Sequence, residues 1–130
     1  MRSIKAIACG LIMILFMTNL YAQKPGCKIF HEGKFRTVNQ GKELIFTRKG
    51  NQQVQYFDKS KVPTIYTIKW INDCTLTLTP GKDQLTKLKG VPANAVLTQK
   101  ITNISATSYS HVTSANFTKR TITGEIYKIK

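Results

Sequence analysis

Residues 64–80 read TIYTIKWINDCTLTLTP, and their alternation constrains the fold more than any other feature. Tyr66, Ile68 and Trp70 alternate with Thr67 and Lys69, and Cys74, Leu76 and Leu78 alternate with Thr75, Thr77 and Thr79. Successive side chains of a strand point to opposite faces, so a period of two marks half-buried antiparallel strands. Asn72-Asp73 supplies turn residues between the two halves. For Trp70 and Cys74 to face the same side, an odd number of residues must separate the facing partners. A three-residue loop, Ile71 to Asp73, is expected, with Asp73 capping the turn. Tyr66, Ile68, Trp70, Leu76 and Leu78 are the candidates for the core or for the lining of a ligand site.

The rest of the chain repeats the theme. KIFHEGKFRTV (28–38), with a turn or bulge at Glu32-Gly33, KELIFTR (42–48) and QQVQYF (52–57) read as strands. A two-residue Gly50-Asn51 hairpin turn joins the last two, because glycine accepts positive φ. DKSKVP (58–63) is a polar connection. PGKDQLTKLKGVPANA (80–95) is the one stretch without strand character, and Leu85 and Leu88 are spaced for a short helical turn ended by Pro92. The segments beginning at Val96, Ser110 and Arg120 are again rich in Thr, Ile and Val, residues that suit strands. About eight strands with short polar breaks and little helix predict an all-β fold, a small antiparallel meander closed as a barrel or stacked as a sandwich.

The chain opens MRSIKAIACGLIMILFMTNLYAQ. Two basic residues, an apolar run and a small residue at Ala22 follow the order of a secretory signal peptide. The run is shorter than the roughly 20 residues that span a bilayer. Cleavage after Ala22 leaves one domain, 23–130, with no transmembrane segment. It removes two of 20 basic residues and no acid, so 18 bases face six acids, a charge of +12 on 108 residues. Cys27 and Cys74 remain, and an even count in an exported chain reads as a disulfide. Two buried thiols are the alternative. A metal site is disfavoured, since no second Cys or His stands at ligand spacing from either.

Four pieces, CKIFHEGKF (27–35), RKGN (48–51), KWINDCTLTLTP (69–80) and EIYKI (125–129), resemble a family of small exported bacterial proteins. The resemblance implies an all-β, lipocalin-like meander with a disulfide from the first cysteine to the mid-chain one, and no catalytic residue. Some members of that family carry the name DNA topoisomerase IV. That activity needs an ATP-binding domain, a carboxylate cluster for Mg²⁺ and a cleavage tyrosine in a large scaffold. A 130-residue chain with an export leader has no place for them.

No nucleophile elbow, H-E-x-x-H, Walker A or EF-hand pattern is present. His31 and His111 lack an obvious partner in sequence and are expected in surface or turn positions. The acids Glu32, Glu43, Asp58, Asp73, Asp83 and Glu125 form no recognisable pair. Asn103-Ile-Ser105 and Asn116-Phe-Thr118 match glycosylation acceptors, but Thr- and Asn-rich strands generate such triplets by chance. The lysines are scattered, many at turns and strand ends, where they also discourage edge-to-edge pairing.

These observations lead to a non-enzymatic, monomeric protein without a cofactor, placed in the periplasm or outside the cell. Its expected role is a small binding module for an apolar or amphipathic ligand. The competing reading is a basic surface that holds anionic envelope material such as lipopolysaccharide, acidic polysaccharide or extracellular DNA. A third is an inhibitor of another exported protein. Sequence-specific reading of nucleic acid is not expected, because no helix-turn-helix, zinc finger or RNP-like motif is present.

Overall fold

A computed structural model describes residues 26–57, 61–85 and 90–130 of the chain. The leader 1–22, Leu88 and the lysines at 59, 87 and 89 lie outside the described residues. Eight strands run in sequence order around one closed antiparallel barrel. They are β1 (Gly33–Asn39), β2 (Lys42–Lys49), β3 (Gln52–Phe57), β4 (Thr64–Asn72), β5 (Thr75–Pro80), β6 (Leu97–Ile104), β7 (Ser108–Ala115) and β8 (Thr118–Lys128). A 3₁₀ turn, Cys27–Phe30, precedes β1, and a single helical turn, α1 (Lys82–Leu85), follows β5. No described helix is long and apolar enough to cross a membrane.

The meander follows from the turn chemistry. Lys49 pairs with Gln52 across Gly50-Asn51, and Gly50 has φ +59°, as a two-residue hairpin requires. Between β1 and β2, Gln40 and Gly41 both take positive φ. The β4–β5 connection differs from the three-residue loop that the alternation predicts. Asn72 pairs with Thr75, the turn is Asp73-Cys74, and the ladder shifts between Trp70 and Asn72. Ile71 is thus the extra residue of a β-bulge, and it is exposed. A bulge adds one residue to one strand, so Trp70 opposite Leu76 keeps the inward face by a different backbone route. Asn72, not Asp73, caps this turn: its Oδ1 accepts the Cys74 N–H at 2.9 Å.

Two apolar clusters fill the interior. Cys27, Phe30, Phe35, Phe46, Ile101, Tyr109 and Ile126 form one; Tyr66, Ile68, Leu76 and Leu78 form the other. Half-buried Trp70 packs against both. The end of the barrel where β1 begins is sealed. Cys27 is disulfide-bonded to Cys74, which ties the 3₁₀ turn to the β4–β5 turn. His31 stacks on Trp70 with ring centroids 3.5 Å apart, and its Nε2 is 2.8 Å from the Asp73 carbonyl. Cys74 in turn offers its carbonyl to the Ile101 N–H at 2.8 Å.

Among the described residues the opposite end is open. In the seam between β1 and β8 the ladder pairs Phe35 with Lys128 and Arg36 with Tyr127, and Lys34 bonds just past β8 to Ile129 and Lys130. Toward the open end, the Thr37 hydroxyl donating to the Glu125 carbonyl replaces a backbone rung.

Candidate functional site

A cavity of about 190 Å³ enters the barrel from the open end. Its apolar wall includes Leu44, Phe46, Leu78, Leu97, Ile122 and Ile126. Gln53, Gln55, Gln99, His111 and Thr113 supply its polar wall. Thr37, Val38 and Asn39 on one side and Ile122, Thr123 and Gly124 on the other place the splayed seam in the same wall. A larger depression of about 590 Å³ at the rim includes Phe117 and Arg120, and shares Asn39, Leu97, Thr113, Ile122 and Thr123 with the inner cavity. Through these shared residues it serves as the mouth of the inner one.

Beneath the cavity floor sits Arg48, 2% exposed. Period two puts it there: Leu44, Phe46 and Arg48 share the inward face of β2. The guanidinium lies 5.0 to 5.8 Å from the ring centroids of Phe46, Phe35, Trp70 and Tyr109. Such contacts stabilise a cation by roughly 0.5 to 2 kcal/mol each when desolvated. Nε donates to Gln53 Oε1 at 2.9 Å, Nη1 to the Phe30 carbonyl at 3.1 Å and Nη2 to Gln99 Oε1 at 2.9 Å. Among the described residues no carboxylate reaches it. Burial pulls its pKa below the ordinary arginine value, and the Tyr109 hydroxyl acts in the opposite direction. Arginine stays charged all the same.

The polar groups form one connected network. Gln53 Nε2 donates to Gln55 Oε1 at 3.0 Å. Gln99 Nε2 donates to Thr113 Oγ1 at 3.1 Å, and the Tyr109 hydroxyl donates to Gln99 Oε1 at 2.9 Å. Thr113 Oγ1 also lies 2.8 Å from His111 Nδ1. Burial lowers the His111 pKa, and the Arg48 charge lowers it further. Burial raises Tyr109, with Arg48 opposing, so its phenol stays protonated at neutral pH.

The residues expected at the core or ligand lining are divided by this geometry. Tyr66, Ile68, Leu76 and Leu78 are buried in one cluster, and of these only Leu78 lines the inner cavity. Trp70 faces the Arg48 guanidinium and the His31 ring in the sealed half. His111, expected at the surface, is instead buried on the inner face of β7 beside the cavity. Arg48, Gln53, Gln55 and Gln99 do not stand out on composition, because each is a polar residue in a chain rich in them. Their phase betrays them: each falls on the inward step of its strand's alternation. Among the described residues no group of His, Cys, Asp and Glu is arranged to hold a metal. Comparison with family models, curated proteins and solved structures finds no match.

Proposed function

We propose that this protein is a small exported binding module, related to the lipocalin-like envelope family it resembles, that takes an apolar or amphipathic ligand into its open end. The inner cavity carries this reading. Burying apolar surface there stabilises a complex by about 25 cal/mol per Å² removed from water. The sealed half keeps the walls fixed, so little ordering is required on binding. Fixed polar groups among apolar walls are the usual composition of a small-molecule site. Export fits the disulfide, which persists in oxidising compartments. The rival reading, adhesion of anionic polymer to scattered lysines, leaves the cavity unused.

Native mass spectrometry of the chain, expressed with its leader in an exporting host, tests the proposal. The expected mass lacks residues 1–22 and two hydrogens. Added 1-octanol, octanoate or octylamine should bind one to one and survive high salt. If none of the three is retained with that stoichiometry, the binding module is wrong.

A further inference from the structure

Within that binding reading, the polar network defines the charge of the ligand. Arginine donates through five N–H groups and accepts nothing. The atoms that face Arg48 must therefore be the oxygens of Gln53 and Gln99, at 2.9 Å each. Each glutamine is forced to aim its amide nitrogen away from Arg48. Along one arm, the Gln53 nitrogen spends its donor on Gln55 Oε1, so Gln55 is turned with its own nitrogen outward. Along the other, the Gln99 nitrogen donates to the Thr113 hydroxyl. With the Thr113 hydroxyl donating to His111 Nδ1, 2.8 Å away, the imidazole proton stands on Nε2. Both arms begin at a buried cation and end on an N–H donor in the cavity wall, at Gln55 and at His111.

The fold keeps the second terminus uncovered. His111 stands opposite Gly124 on β8, and a Cβ there would lie 3.3 Å from His111 Nε2. Among the described residues no carboxylate lines the cavity, and Arg120 stands at its mouth. A buried charge is normally paired. Among the described residues the partners of Arg48 are neutral oxygens and aromatic faces, which leaves a donor-rich, positively polarised cavity wall.

We infer that the ligand is a short-chain monocarboxylate, its carboxylate accepting from Gln55 and His111 above Arg48 and its chain leaving along Leu97 and Ile122 toward the mouth. Charge-assisted hydrogen bonds are about twice as strong as neutral ones. The cavity has room for about six water-sized groups at about 30 Å³ each, which suits a carboxylate and the first few carbons of one chain. A two-chain lipid does not fit.

Calorimetric titration of the full chain with octanoate, 1-octanol and octylamine tests this at two salt concentrations, so that loose attraction to surface lysines is separated by its salt dependence. Octanoate should bind at least tenfold tighter than 1-octanol, with octylamine weakest, and the one-to-one octanoate signal should persist at the higher salt. Gln99→Glu places a carboxylate beside Arg48. It should lower octanoate affinity at least tenfold and by a larger factor than 1-octanol affinity, and Gln53→Glu should act in the same direction if the first variant does not fold. Equal binding of octanoate and 1-octanol overturns the carboxylate assignment and leaves the binding module standing. Retention of none of the three probes overturns both.

Discussion

The two ends of this barrel are built from the same strands and do opposite things. At the sealed end, short turns, the 3₁₀ segment and the Cys27–Cys74 disulfide bring Phe30 and Phe35 to full burial around Arg48. At the open end, β8 carries exposed residues from Thr118 to Glu125, and the β1–β8 ladder has already stopped. Asn116 compensates there, accepting the Val96 N–H at 2.9 Å and donating to the Asn94 carbonyl at 2.8 Å, which ties the β7–β8 turn to the segment before β6. The disulfide and the aromatic cage of Arg48 lie in one half, and the cavity and the short seam lie in the other.

Cutting the disulfide should have the largest effect on that contrast. Cys27 and Cys74 are 47 positions apart, and a loop of that length stabilises by about 4 kcal/mol in the chain-entropy account. The Cys27→Ser, Cys74→Ser double variant should lose about that much in chemical denaturation. Hydrogen exchange should rise first in the 3₁₀ turn and the β4–β5 turn. If protection fell first around Ile122 and Thr123, the sealed end would not be the stable half.

Much of this architecture is legible in the sequence because it depends on local periodicity. Tyr66, Ile68, Leu76 and Leu78 face inward as their alternation requires, and Gly50-Asn51 closes the hairpin its residue types demand. The β4–β5 bulge was not legible. A three-residue loop and a two-residue turn with one bulged residue present the same faces, so alternation cannot separate them. The polar network was half visible. The phase that puts Phe46 inside puts Arg48 inside as well, and that of Tyr109 carries His111, yet polarity argued for the surface. What decides burial is a partner far along the chain: Arg48 and Gln99 are 51 residues apart and meet only when the barrel closes.

The next effect in size separates the ends through glycine. Gly33 has φ +131°, and a Cβ there would stand 2.7 Å from Lys128 Cε and 2.8 Å from the Lys130 carbonyl oxygen. The carbonyl is backbone that β1 already uses, through the Lys34 N–H at 2.9 Å. Gly33→Ala should therefore cost about 1 to 3 kcal/mol, from strain and from displacement of the β8 terminus. Gly41, in the open-end turn, has φ +76° with nothing within 4 Å of its Cβ position. Gly41→Ala carries only the left-handed penalty, about 1 kcal/mol. Thermal unfolding of the pair should rank them in that order. The reverse ranking would mean that the sealed seam is pliable.

The smallest stability change is the most informative about the open end. Ile122 is 54% exposed although it lies on the cavity wall, opposite Thr113 on β7. An apolar side chain that stays half in water contributes little to folding, so Ile122→Ala should leave stability within about 0.5 kcal/mol of the parent. A chain passing the mouth would cover that side chain and remove its apolar surface from water. Its truncation should then weaken octanoate binding by about 1 kcal/mol, or about fivefold. The two effects have different origins, because Ile122 is finished by the ligand and not by the fold. A variant that lost as much stability as the disulfide cut would make the mouth part of the cooperative core. One that kept both stability and octanoate affinity would move the exit path away from β8, toward the Val38 side of the seam.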